Sequence, residues 1–415
     1  MNLKAGITRG EFLTLGAAAS AAWLASPLRA FAAQASSDAR ARIARLIQEY
    51  DAQGLHRTGT DVDDASGKWL QEQARAAGAM AALERFRLGR VELHGCTIGV
   101  GGRTVEGLPL FDGGFTRSEG VTGRLGMPDS NAEIALIDLD GSAISSEGRS
   151  LDALRRSHHR AIVGITNGGQ PGLTPMNAAR FAEPYGVPVV QVGSTDGDWL
   201  HEAARRGDRA TVVAHAGRVP DTAGNVTATV RGTIAELPPV VVMTPRSGWW
   251  HCASERGGGL ACWLETIRAA AAARPSRSIE FVASSGHELG HLGLDAFIAE
   301  RRSLVKTAAA WVHLGANIGA AGGRMRLQAS DDQMEERASA ALARAGTSIA
   351  ERLPRGAVPA GEARNIHVGG GRYVSLLGSG PYFHSLADRW PDVIDVPAIA
   401  KYAAAVADLA VTLAE

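Results

Sequence analysis

The stretch SIEFVASSGHELG, residues 278–290, decides the fold class. Its first half is a short apolar run around Phe281, which is typical of a strand buried on both faces of a parallel sheet. Its second half is a turn bounded by glycines that carries His287 and Glu288, two side chains able to bind a metal or move a proton. A buried strand that ends in such a turn predicts a functional site at one edge of a parallel sheet.

Strand and helix patterns alternate around this stretch. The patterns are a buried strand at 239–243, a helix at 258–272, the strand at 278–283, a helix at 289–301 and a strand at 310–314. Parallel strands need helical crossovers, so we predict an α/β fold with a mainly parallel (mixed) central sheet flanked by helices. Upstream, residues 38–88 are predicted to be largely helical.

Between residues 93 and 220 the sequence changes to short strands separated by glycine-rich turns. Isolated strands at 133–138 and 161–165 precede the strand 186–192 and a short helix. This order resembles the protease-associated domain, a module inserted into exported peptidases. We therefore predict a smaller β-rich inserted domain at 93–220, within a catalytic domain formed by 37–92 and 221–415.

The N-terminus predicts export. Lys4 and Arg9 precede an apolar run that ends at Leu28, and residues 30–32 offer a small-residue cleavage site. The run is short for a membrane anchor, so residues 1–33 are predicted to be a cleaved export signal of either the general or the twin-arginine type. The mature protein is expected to be periplasmic or secreted, without membrane attachment.

Composition argues against several classes of protein. Lys+Arg and Asp+Glu both number 43, so the formal net charge is zero and no nucleic-acid partner is expected. The chain has only three cysteines, Cys96, Cys252 and Cys262, and no Cys-x-x-Cys pair. A disulfide framework and a cysteine-held zinc site are therefore not expected. Cys252 and Cys262 would either pair or remain buried free thiols, and we predict the latter.

Five landmarks in order resemble the zinc aminopeptidases of peptidase family M28. They are a lead-in strand at 223–232, a strand at 240–243, a loop at 253–255 that opens a helix, the turn at 286–290 and a closing loop at 382–388. The resemblance covers about residues 222–415, together with the helix before the inserted domain. It implies two zinc ions about 3.5–4 Å apart at the carboxyl ends of parallel strands. It places a bridging carboxylate at Glu255, a terminal carboxylate at Glu288 and a terminal histidine at His384.

Two positions that the resemblance assigns to metal ligands carry none. The His-x-Asp motif of the second metal falls on residues 245–247, which read Pro-Arg-Ser, and a later aspartate falls near Gly315. The resemblance thus implies one zinc ion, held by the three residues above with water as the fourth ligand. His287 stands where the family has its catalytic glutamate, and we expect it to act as general acid and base.

Four further residues are candidates for the site. His251 and His313 lie near strand ends that would face the same crevice, where each would either join the site or form an ordinary hydrogen bond. Arg246 and Arg256 would flank the site. They would either bind a substrate carboxylate or lie solvated in loops.

A second metal motif competes with this assignment. Residues 287–291, His-Glu-Leu-Gly-His, match the H-E-x-x-H pattern, whose two histidines share a zinc ion from one helix face. Here the pattern begins at a strand end and contains Gly290, which disfavours that helical geometry.

The predicted function is metal-dependent hydrolysis of a peptide or small amide, with acidic substrates preferred. Two alternatives stay open. One is a lyase or cyclase that uses the histidine cluster for proton transfer, and the other is a binding protein that has lost catalysis. Metal content separates the hydrolase from both alternatives.

Overall fold

One connected sheet of fourteen strands runs through the residues that the computed structural model describes, 38–141 and 148–415. The predicted export signal at 1–33 lies outside the described residues. The strands are β1 (Met80–Val100), β2 (Arg103–Glu106), β3 (Leu108–Pro109), β4 (Val121–Gly126), β5 (Ile134–Asp140), β6 (Ala161–Asn167), β7 (Val189–Gly193), β8 (Arg209–Val230), β9 (Val240–Pro245), β10 (Ile279–Ser284), β11 (Ala310–Leu314), β12 (Arg324–Ala329), β13 (Glu351–Arg352) and β14 (Tyr373–Ser379).

Within the described ranges, ten helices flank these strands. They are α1 (38–52), α2 (Asp61–Ala76), α3 (Arg149–Arg155), α4 (Gly197–Arg206), α5 (Ala253–Ala273), α6 (Leu292–Glu300), α7 (Leu304–Thr307), α8 (Asp332–Arg344), α9 (Ala363–Val368) and α10 (Val396–Ala414). Among the described residues, α10 alone is long and apolar enough to cross a membrane, and its buried side chains join the main core.

The centre of the sheet is parallel, as the apolar runs predict. β9 pairs in parallel with β10 and with β11, and β11 pairs in parallel with β14. β8 and β12 flank this group in antiparallel pairing, so the sheet is mixed. The α/β class is therefore confirmed, and the carboxyl ends of β9, β10, β11 and β14 meet at one edge.

Helix α5 lies against that edge and is buried along most of its length. It starts at Ala253, five residues earlier than predicted, because the Asp388 carboxylate accepts the backbone N–H groups of Ser254 and Glu255. A Cβ at Gly258 would lie 1.8 Å from the Ile318 carbonyl oxygen, so only glycine permits this close approach.

The prediction of a largely helical 38–88 segment is wrong beyond Ala76. β1 begins at Met80 and pairs antiparallel with β8, from Met80 opposite Thr229 to Val100 opposite Ala210. Long-range pairing therefore overrides the local preference of these residues.

The outer parts of β1 and β8 extend into a second region, which includes β2 to β7, α3 and α4. This region has its own hydrophobic cluster of buried residues between Ile98 and Ala214. Its identity as a protease-associated domain stays a prediction. Cys96, Cys252 and Cys262 are free thiols, and the last two are buried, as predicted.

Candidate active site

The carboxyl-terminal edge of the central strands opens into a cavity of about 1120 Å³. Residues after β10, β11 and β14 line it, together with the loop at 358–362 and part of α9. His287, His291 and Glu362 form part of this lining, and Asn177 contributes from the second region. The cavity thus lies at the strand ends, where the sequence predicts a crevice, and its role as the site stays a prediction.

His287 occupies a tight turn directly after β10. Gly286 and Gly290 adopt φ angles of +86° and +78°, which glycine tolerates readily, and they bound a 3-10 turn at His287–Leu289. The His287 Nδ1 atom lies 2.8 Å from Glu362 Oε1. Burial lowers the pKa of His287 to about 4 although Glu362 opposes the shift. The ring is therefore neutral near pH 7.

Glu362 connects two histidines. Its Oε1 faces His287, and its Oε2 lies 3.4 Å from His313 Nε2. Burial would raise the pKa of Glu362, but its interactions with the neighbouring His287 and His291 rings and the hydrogen bonds from His287 and His313 hold it well below its usual range. The carboxylate is thus ionised and accepts hydrogen bonds, so His287 donates from Nδ1 and keeps Nε2 for the cavity.

His313 supports this carboxylate from behind. The ring is fully buried and does not line the cavity. Its Nδ1 lies 2.8 Å from Ser375 Oγ on β14. The structure therefore brings His313 into the site's hydrogen-bond network, one residue removed from the cavity.

His291 lies beside His287, as the H-E-x-x-H pattern requires, although the helical geometry of that pattern is absent here. The two rings stack with centroids 5.2 Å apart, and His291 Nδ1 is 2.9 Å from Asn365 Oδ1. The pair is not on one helix face. Instead Gly290 and His291 both adopt left-handed backbone angles, which fold the second histidine back towards the first.

His287, His291 and Glu362 each offer a ligand atom, and these atoms lie within 4.8 Å of one another. In the described ranges 38–141 and 148–415, no other three His, Cys, Asp or Glu side chains meet this condition. Two histidines and a glutamate form a donor set that suits zinc, with an open position for water or substrate. We call these three residues the cavity triad.

Glu255 and His384 are also close together, but they lie in a different setting. His384 Nε2 is 3.5 Å from Glu255 Oε1, and Arg256 Nη2 is 2.7 Å from the same oxygen. All three side chains are buried. Burial would raise the pKa of Glu255, but the Arg256 cation lowers it. We call these residues the buried triad.

Both carboxylate oxygens of Glu288 already accept hydrogen bonds within the protein. Oε1 accepts the Thr58 N–H at 2.7 Å, and Oε2 accepts the Ser247 hydroxyl at 2.7 Å. Burial raises the pKa of Glu288. The Arg256 guanidinium beside Glu255 makes the predicted zinc trio less suited to a cation than the cavity triad.

The two arginines predicted to flank the site are ion-paired inside the protein, not solvated. Arg246 is 2.9 Å from Asp63 and also donates to the Gly224 carbonyl. Arg256 pairs with Glu255 and donates from Nε to the Ser247 carbonyl. Neither arginine lines the cavity, so the expectation that they clamp a substrate is corrected.

His251 also lies outside the cavity lining, and its Nδ1 is 2.9 Å from the Asp51 carbonyl oxygen. In contrast, residues 175–178 of the second region reach the site. His384 Nδ1 is 2.7 Å from the Pro175 carbonyl oxygen, and Ala178 N–H donates to the Glu288 carbonyl. Sequence reasoning missed this segment and Glu362, because neither belongs to a recognisable motif.

Solved structures with the same architecture identify the fold. A zinc aminopeptidase from Bacillus subtilis aligns with a TM-score of 0.73 and 18% identity, covering 90% of this chain and 94% of its own. The chain has an M28-like fold. A peptidase M28 precursor from Shewanella amazonensis aligns with a TM-score of 0.73 and 16% identity, over 92% of this chain and 96% of its own.

An aminopeptidase from Aneurinibacillus aligns with a TM-score of 0.66 and 18% identity, over 89% of this chain and 92% of its own. Sequence comparison matches the chain to no protein-family model and to no curated protein. The M28-like assignment therefore rests on architecture, and the function has to be argued from the site.

Proposed function

We propose that this protein is a metal-dependent hydrolase that cleaves an amide bond of a peptide or small molecule bound in the 1120 Å³ cavity. The observation that carries the proposal is the cavity triad, three zinc-type ligands within 4.8 Å of one another on the cavity wall. The fold supports it, because two of the similar structures are described as zinc aminopeptidases or M28 peptidases.

The residues behind the triad favour metal binding. Glu362 accepts from His287 Nδ1 and so holds that ring in the cavity wall. Asn365 does the same for His291 and is itself held, because its amide donates to Asp295 at 2.6 Å. Such outer hydrogen bonds fix the tautomer and orientation of ligating histidines.

When bound, a zinc ion would supply Lewis-acid polarisation of the scissile carbonyl and a water of lowered pKa. The chain's own contribution is to hold the substrate against the triad and to limit water. Asn177 and Phe383 come from different parts of the chain. Both line the cavity and would help to enclose the substrate.

A second candidate function follows from the Glu362–His287 hydrogen bond. A neutral imidazole oriented by a buried carboxylate is a competent general base. Without a metal, this pair supports the lyase or cyclase alternative, with His287 Nε2 accepting the proton from the substrate. We also propose that the mature protein acts in the periplasm or outside the cell, on the strength of residues 1–33.

Metal content and activity test these functions together. We expect the purified protein to carry about one zinc ion per chain and to hydrolyse members of a panel of aminoacyl amides and dipeptides. Treatment with a chelator should abolish hydrolysis, and added zinc should restore it. Turnover that persists in metal-free protein would refute the hydrolase proposal and support the acid–base alternative.

A further inference from the structure

The cavity also contains a cation without a counter-ion. Arg326 lies on β12, is partly buried and lines the cavity. Its Nε atom is buried without a hydrogen-bond partner, and its guanidinium forms no ion pair with any residue in the described ranges. This separates Arg326 from the fully buried arginines.

Each of those buried arginines has a carboxylate beside it. Arg155 is 3.1 Å from Asp112, Arg246 is 2.9 Å from Asp63, and Arg256 is 2.7 Å from Glu255. Removing a guanidinium from water is unfavourable unless a charged partner compensates for the lost hydration. Arg326 is only partly buried and has no carboxylate partner in the described ranges, so its guanidinium is free to pair with an anionic ligand in the cavity.

An uncharged polar side chain, Asn317, also lines this cavity. Asn317 is only 3% exposed, and its Oδ1 atom has no hydrogen-bond partner among the described residues. Asn317 follows the end of β11, and Arg326 lies on β12, the next strand along the chain. The cavity lining therefore contains a polar amide besides the cation Arg326.

The carboxylates of the cavity lining do not pair with Arg326, because they accept hydrogen bonds from other residues. Glu362 accepts from His287 and His313, and Asp295 accepts from the Asn365 amide. We propose that Arg326 binds a carboxylate of the substrate, so that the preferred substrates are small amides or dipeptides with a free carboxylate. This inference rests on the proposed function, since it names the substrate class for the same cavity.

Chemistry and size agree with this class. The planar guanidinium fork matches a carboxylate through two parallel hydrogen bonds, which gives both affinity and orientation. A cavity of about 1120 Å³ is large enough for a dipeptide-sized molecule. Arg324, on the same strand β12, supplies a matched control because it is exposed and does not line the cavity.

A binding experiment tests the inference without requiring turnover. The full-length chain is titrated calorimetrically with N-acetylglycine and with its neutral counterpart N-acetylglycinamide. We expect tighter binding of the acid. Arg326→Ala should weaken binding of the acid by about 10- to 100-fold, the usual effect of losing a charge-assisted hydrogen bond, and leave the neutral amide unchanged. Arg324→Ala should bind both probes as the unaltered protein does.

Kinetics form the second arm. For dipeptides compared with their C-terminal amides, Arg326→Ala should lower kcat/KM for the free acids alone, and Arg326→Lys should restore part of the loss. Equal binding of the two probes by the unaltered protein, or an unchanged preference in Arg326→Ala, would overturn the inference. Arg326-dependent binding of the acid without any hydrolysis would support the inference and count against the hydrolase proposal alone.

Discussion

The cavity triad and the buried triad contain similar side chains, yet their surroundings differ. His287, His291 and Glu362 line an open cavity, and neutral groups such as Asn365 orient them. Glu255 and His384 are buried around the cation Arg256, which already supplies positive charge. Because a guanidinium and a metal ion repel each other, the same ligand types suit metal binding in the first triad and internal ion pairing in the second.

The largest expected effect is the loss of His291. We expect His291→Ala to abolish zinc binding and to lower kcat/KM by more than about 100-fold, since removing a ligand should exceed the effect of removing an outer-shell partner. His251→Ala is the matched control, because His251 lies outside the cavity. Elemental analysis and steady-state kinetics would measure both. Full zinc content in His291→Ala would exclude this residue as a ligand.

Arg256 tests the other side of the comparison. Arg256→Met leaves the buried Glu255 carboxylate without its counter-ion, so we expect the free energy of unfolding to fall by about 3–5 kcal/mol. Urea denaturation would measure this change. The double variant Glu255→Gln/Arg256→Met should recover much of the loss, because it removes both charges.

The exposed pair Arg344–Asp408 provides the control for that experiment. Arg344→Met should change the free energy of unfolding by less than about 1 kcal/mol, since solvent screens surface ion pairs. An equally small change in Arg256→Met would mean that Arg256 does not neutralise the buried triad.

A smaller effect is expected from His313, which acts through Glu362. His313→Ala removes one of two histidine hydrogen bonds to this carboxylate and should weaken zinc affinity by about 10- to 100-fold. Competition with a zinc chelator would measure the affinity. His313→Gln, which can still donate to the carboxylate, should lie closer to the unaltered protein. No difference between the two variants would make His313 a packing residue only.

The smallest effect is expected from Asn365, which accepts from His291. Asn365→Ala removes a single neutral hydrogen bond and should raise the zinc dissociation constant by about 5- to 10-fold, equivalent to about 1 kcal/mol. Asn365→Asp should retain zinc, because a carboxylate also accepts from His291. A loss of zinc as complete as that in His291→Ala would show that Asn365 has a larger role than orientation.

Local sequence patterns determined the class of fold and the approximate place of the site. Continuous apolar runs in β9, β10 and β11 identify strands that are buried on both faces, and parallel strands bring their carboxyl ends to one edge. His287 could be assigned to that edge from sequence because it follows β10 within three residues. Strand identity and the position of His287 depend on residues that are neighbours along the chain, so they can be predicted from the sequence.

Tertiary structure alone decided which side chains meet. Glu362 lies in a loop without periodicity, and it gains its role only where the ends of β10 and β11 place His287 and His313 beside it. A charged residue in a sequence likewise does not disclose its partner, so Arg246 and Arg256 were expected to flank a substrate although the fold pairs them internally. Hydrogen bonds and ion pairs depend on distances of a few ångströms between residues far apart in sequence, and only the folded chain sets those distances.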